Sequence, residues 1–158
     1  MASPPLHQDL VDLLLKFNEH EVEYVAVGAF VVGVHSEPRT TKDLDLFIRS
    51  SIENAKTVYR ALADFGAPLQ DVTVADLSDG KTFLQLGVPP NRVDILQDVS
   101  GITFDEAWST REFAVVEDKF KVPILSLEAL LKAKTAAGRD QDLLDIKKLR
   151  KWNNLPDR

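Results

Sequence analysis

The tightest constraint on the fold is the hexapeptide Asp43-Leu44-Asp45-Leu46-Phe47-Ile48, which opens with alternating carboxylates and becomes fully apolar. In a strand, residues two apart point to the same face, so Asp43 and Asp45 converge on one spot while the rest of the segment is buried. The segment therefore reads as a strand with one wet end. Two like charges that close repel each other, and a divalent cation is what makes such a pair tolerable.

The surrounding pattern is mixed α/β. Leu6, Leu10, Leu13, Leu14 and Phe17 fall at helical spacing behind Pro4 and Pro5, predicting a helix over about 5–20. Glu23 to Val27 reads as a buried strand ending at Gly28, and Ala29 to His35 as a short helix broken by Glu37-Pro38. Residues 52–65 repeat the helical period and stop at Gly66, while 68–80 is ambiguous. Thr82–Leu86 and Arg92–Leu96 suggest a hairpin. A helical turn near Phe104–Trp108 and short strands at Phe113–Val116 and Lys121–Leu125 precede two helices, Ser126–Ala137 and Arg139–Trp152, divided at Gly138. With no internal repeat or linker, residues 1–158 read as one domain, a core of about 22–125 and a C-terminal helical pair at 126–152.

Composition narrows the chemistry. A net charge of −6 at pH 7 argues against a non-specific DNA coat or a polybasic membrane binder, though not against RNA held at a local basic patch. The absence of cysteine removes disulfides, thiolate nucleophiles and Cys-ligated metals. The longest apolar run, Tyr24 to Val34, is too short to span a bilayer, and the start MASPPLHQD lacks the features of a secretory signal. A cytoplasmic protein without membrane contact is expected.

Asp94 lies in Arg92-Val93-Asp94-Ile95-Leu96, a strand whose alternate residues are apolar. Beside the first strand, it would complete a set of three carboxylates suited to a pair of Mg²⁺ ions. Taken alone, a D-x-D favours the reading of Asp43 and Asp45 as solvent-facing residues on an antiparallel strand, since so short a pattern recurs by chance. Gly28-Ala29 ends a strand and opens a helical turn whose free N–H groups can cradle a phosphate, and Arg39 and Thr41 place a cation and a hydroxyl nearby. Lys134 falls inside the apolar arc of Leu127, Leu130 and Leu131. Asp142 and Asp145 fall inside the arc of Leu143, Ile146, Leu149 and Trp152. Ionisable residues on inward faces are either paired with each other or turned to a cleft.

The run Gly28-Ala29-x-Val31-x3-His35-Ser36-x2-Arg39-x-Thr41-x-Asp43-Leu44-Asp45 resembles the signature of the DNA polymerase beta-like nucleotidyltransferase superfamily, and in particular its small bacterial branch related to the abortive-infection toxin-type enzymes. Gln85-x-Gly87-x-Pro89-Pro90-x-Arg92-Val93-Asp94-Ile95-Leu96, Ser100-Gly101-Ile102-x-Phe104-x2-Ala107-Trp108 and Lys134-x-Ala136-x-Gly138-Arg139-x2-Asp142-x2-Asp145 are similar to its later motifs in the same order. The resemblance implies a minimal nucleotidyltransferase fold, a mixed twisted sheet flanked by helices with a C-terminal helical pair. It implies transfer of a nucleoside monophosphate from an NTP to a hydroxyl of RNA (tRNA among the candidates), protein or a small molecule, with Asp43, Asp45 and Asp94 holding two Mg²⁺ or Mn²⁺ ions. Gly28, Ala29, Arg39, Thr41 and Lys134 would contact the nucleotide, and Asp142 and Asp145 would support Lys134. An antitoxin, another partner chain or a second copy is the expected partner. One departure is Ala29, where the family usually carries Gly or Ser. The alternative reading is a weak or silent member of the fold serving as a binding or regulatory protein.

Overall fold

The computed structural model describes residues 1–38, 41–87 and 91–156. In chain order the elements are α1 (Gln8–Glu19), β1 (Tyr24–Val27), α2 (Ala29–His35), β2 (Asp43–Ile48), α3 (Ile52–Phe65), β3 (Leu84–Leu86), β4 (Arg92–Leu96), α4 (Phe104–Ser109), β5 (Glu112–Val116), β6 (Phe120–Ile124), α5 (Leu127–Ala137) and α6 (Asp140–Trp152). The strands form a six-stranded mixed sheet in the order β3-β4-β2-β1-β6-β5. β1 is buried along its whole length, as its unbroken Tyr-Val-Ala-Val run requires, and it pairs antiparallel with β2 and parallel with β6. β2 in turn pairs parallel with β4, and β3 and β5 pair antiparallel with β4 and β6. α1 packs on α3, while α2 touches β1 and β2 and also the α5–α6 pair. No described helix is long and apolar enough to cross a membrane.

Local chemistry sets the ends of the elements. α1 begins at Gln8 rather than near residue 5 because His7 takes the N-cap position and its Nδ1 accepts from the Asp9 N–H at 3.1 Å. α3 is capped by the Ser51 hydroxyl and ends at Gly66, which adopts the left-handed conformation. β3 begins at Leu84 and not Thr82, since Thr82 is diverted from the ladder. Its N–H donates to Asp79 at 2.8 Å, and its carbonyl accepts from the buried Gln97 side chain at 2.8 Å. The same Gln97 amide also donates to the Asp76 carbonyl, tying down the ambiguous 68–80 segment, which is a series of turns.

The last helix departs from expectation. Leu143 and Trp152 are exposed, and the buried face of α6 carries Asp142, Asp145 and Leu149. The inward arc is narrower than expected: Leu143 and Trp152 at its edges face solvent, while Asp142 and Asp145 lie inward as the arc placed them, compensated there by cations. Trp152 is accordingly a surface residue, whereas Trp108 stacks on Phe104 at 5.8 Å as a packing residue.

Candidate active site

The parallel register between β2 and β4 sets Asp43 opposite Arg92 and Asp45 opposite Asp94. Gln85 of β3 stands beside Asp94 on the other edge. Side chains that share a register position share a face, so Asp43, Asp45, Asp94, Arg92 and Gln85 crowd one side of the sheet while Leu44, Leu46, Val93 and Ile95 fill the core on the other. Exposure falls from Asp43, which is open to solvent, to Asp45 and Asp94, which are partly buried. Burial, then the Asp94 and Asp43 charges, push the Asp45 carboxyl up to about 6 against a pull from Arg92. Asp94 Oδ1 is buried with no hydrogen-bond partner among the described residues, and the second oxygen receives Arg92 Nη2 at 3.4 Å.

Gly28 brings the β1–α2 turn down onto this face. Its φ of 75° is in the range that favours glycine, and its carbonyl accepts from the Val31 and Val32 N–H groups, each at 3.1 Å, to start α2. A Cβ at Gly28 would collide with Asp45 Oδ2, so the backbone of the turn rests directly against that carboxylate. Ala29 follows as the first helical residue and is exposed. The Thr41 side chain is buried and its hydroxyl has no partner among the described residues, while Arg39 lies outside them.

Across the opening, Lys134 of α5 is held by two carboxylates of α6, at 3.2 Å from Asp142 and 3.0 Å from Asp145. Asp142 is more heavily bonded still. It accepts the Arg139 N–H at 3.1 Å, Arg139 Nε at 2.7 Å and Arg139 Nη2 at 3.2 Å. The Arg139 guanidinium, with Lys134 and the backbone bond assisting, holds the Asp142 carboxyl down at about 2. Asp142 and Asp145 thus buttress Lys134, which is both ion-paired and directed to a cleft. The cleft has a volume of about 370 Å³ and is lined by Gly28, Asp45, Lys134, Arg139 and Asp142, with an apolar wall that includes Leu130 and Ala133.

The structure therefore gathers Gly28, Asp45, Lys134 and Asp142 around one cleft, with Asp43 and Asp94 flanking Asp45 on the sheet. Thr41 and Asp145 do not line it. The donor set suits a hard divalent cation, having three carboxylates on one face, one Asp94 oxygen without a partner among the described residues, and an Asp45 raised by burial and then by its like-charged neighbours. Among the described residues, no three His, Asp or Glu side chains are already drawn together as a cation cage.

The profile of a protein family, described as nucleotidyl transferases of unknown function (DUF2204), matches residues 6–155. The chain belongs to this family. It is a nucleotidyltransferase, and its fold is shared by solved structures of low sequence identity. A lincosamide antibiotic adenylyltransferase, LnuA, solved with lincomycin bound, superposes with a TM-score of 0.59 at 18% identity over 94% of this chain and 98% of that one. A candidate nucleotidyltransferase of Thermotoga maritima gives 0.56 at 21% identity, over 93% and 91% of the two chains. An antigenic nucleotidyltransferase-like protein of Paracoccidioides brasiliensis gives 0.56 at 16% identity, over 90% and 75%. No curated protein sequence matches.

Three residues of the candidate site, Arg92, Gln85 and Arg139, stand in the sequence motifs but received no role there. Arg92 and Gln85 join the carboxylate face by strand register, and the i, i+2 rule that pairs Asp43 with Asp45 also pairs Arg92 with Asp94. Arg139, just past the α5 stop at Gly138, lines the cleft while gripping Asp142. Its position between two helices carries no periodic signal.

Proposed function

We propose that the protein transfers a nucleoside monophosphate from an NTP to a hydroxyl acceptor, with residues 1–158 working as one catalytic domain. The observation that carries this reading is the β2–β4 register, which sets Asp45 beside Asp94 directly under the Gly28 turn. In the reaction, the acceptor hydroxyl passes its proton to Asp94 as its oxygen attacks the α-phosphorus, the bond between the α-phosphorus and its bridging oxygen breaks, and pyrophosphate leaves. Asp43, Asp45 and Asp94 would hold divalent Mg²⁺ or Mn²⁺, which supplies Lewis-acid neutralisation of the phosphates and a lower pKa for the attacking hydroxyl. The unpaired N–H groups at the start of α2, beginning at Ala29, face the phosphates. Lys134 and Arg139 add positive charge from the other wall of the cleft, and their carboxylate braces keep both in position. Thr41 has a buried hydroxyl without a partner among the described residues, and Arg39 follows α2 in the same connection. Both are assigned to the nucleotide as assisting groups. The narrower likeness to the abortive-infection toxin-type branch rests on motif order. It would make a tRNA or protein the acceptor and a cytoplasmic antitoxin or a second copy the partner.

The test is label transfer from each of four α-³²P-NTPs, with Mg²⁺ or Mn²⁺, into the RNA, protein and small molecules of a lysate. The Asp43→Asn/Asp45→Asn protein runs alongside. Label in one class, absent with the variant, identifies donor and acceptor together. No label with any nucleotide, from a folded protein that still binds NTP, would replace this reading with that of a silent binding protein.

A further inference from the structure

Arg92 stands inside the carboxylate face, opposite Asp43 in register and two residues from Asp94. Its bond to Asp94 is incomplete. Nη2 reaches Oδ2 at 3.4 Å, while Arg92 Nε and Asp94 Oδ1 are both buried without a partner among the described residues. The same protein shows what a finished pair looks like, since Arg139 grips Asp142 through Nε at 2.7 Å and Nη2 at 3.2 Å. A structural Arg–carboxylate bridge gains its strength from that two-pronged geometry, and burying an unused donor and an unused acceptor side by side is unfavourable. The arrangement neutralises charge without locking either group.

We propose that Arg92 is a resident counter-cation of the Asp43–Asp45–Asp94 cluster, which a divalent metal ion must displace in order to bind. This rests on the reading that those carboxylates hold metal. With Arg92 present, the three carboxylates are offset by one fixed positive charge, and Asp94 keeps one oxygen free for an incoming ion. The half-made bond allows Arg92 to swing away, and its guanidinium then becomes available to the phosphates that accompany the metal.

The two possible roles of Arg92 predict opposite signs. If Arg92 competes with metal, Arg92→Gln leaves three uncompensated carboxylates and binds Mn²⁺ more tightly, by about tenfold for the removal of one adjacent charge. If Arg92 merely holds Asp94 in place, Arg92→Gln binds Mn²⁺ more weakly or unchanged. The readout is free Mn²⁺ measured by electron paramagnetic resonance during titration of the nucleotide-free protein, with circular dichroism to establish folding. Arg92→Met, which keeps the apolar stem, should behave like Arg92→Gln, and Arg92→Lys should return affinity toward the wild-type value. Variants that melt early in chelator but recover with Mn²⁺ would support the proposal, because the ion then replaces the missing charge. Variants that fail to fold with or without Mn²⁺ would overturn it, as would wild-type binding that neutral substitutions do not tighten. If neither wild type nor the neutral variants take up Mn²⁺, the metal reading of the site falls first and this proposal with it.

Discussion

Asp45 is the residue on which the electrostatics of the site converge. It lies against the Gly28 backbone, faces Asp94 and Arg92 across the β2–β4 pair, shares its strand with Asp43, and feels Arg139 across the cleft. Its carboxyl is raised to about 6 by burial and by Asp94 and Asp43, so the folded chain binds that proton more tightly than the unfolded chain does. The stability this provides is complete below about pH 4 and is lost as pH rises through about 6. In chelator, the wild type should therefore lose on the order of 2 kcal/mol across that interval from this group. Asp45→Asn, neutral throughout, should show a flatter profile and higher stability at pH 7.5. Urea denaturation at a series of pH values checks this, and a variant no more stable than wild type at pH 7.5 contradicts it. The same substitution should abolish nucleotide transfer, separating what serves the reaction from what serves the fold.

At the scale of elements, the β1–Gly28–α2 connection is a strand-to-helix turn whose shape depends on one missing side chain. Gly28→Ala would force a Cβ into Asp45 Oδ2 at a positive φ, moving both the turn and the carboxylate. A loss of about 100-fold in transfer is expected for a misplacement of that kind, together with about 1–3 kcal/mol of stability for the strained backbone. Parallel melting and label-transfer assays would show both effects, and a stability loss with full activity would argue against a phosphate turn. α6 gives a cleaner contrast. Leu149 is fully buried while Leu143 is half exposed, so Leu149→Ala should cost about 2–5 kcal/mol and Leu143→Ala less than about 0.5. Equal costs would restore the all-leucine inward face that hydropathy suggests. This helix shows where periodicity fails as a guide. Its burial is decided by Lys134 and Arg139 meeting Asp142 and Asp145, and partners on another element are invisible to a helical wheel.

For the whole molecule, the cleft lies between the sheet and the helical pair, so a ligand filling it bridges two parts of the chain. An NTP with Mg²⁺ should raise the unfolding free energy by about 2.7 kcal/mol at a hundred times its Kd, and calorimetry should register this as a higher Tm. Asp43→Asn/Asp45→Asn should show no such shift. A shift retained in full by that variant would mean that the nucleotide is bound without the carboxylates.

The sequence by itself determined most of the elements and which acidic residues make up the candidate site. Runs such as Tyr24–Val27 and Asp43–Ile48 encode burial and facing directly, because a strand's period of two and a helix's 3.6 are local properties of the backbone. Gly28, Gly66 and Gly138 mark turns and helix ends in the same local way. Only the tertiary structure decided which strands are neighbours, and that choice makes Asp94, forty-nine positions after Asp45, its register partner. It also decided that Arg92 sits among the acids and that Lys134 and Arg139 are the cations that compensate the inward carboxylates of α6. Strand order and charge compensation arise between segments distant in the chain, and no local period encodes them.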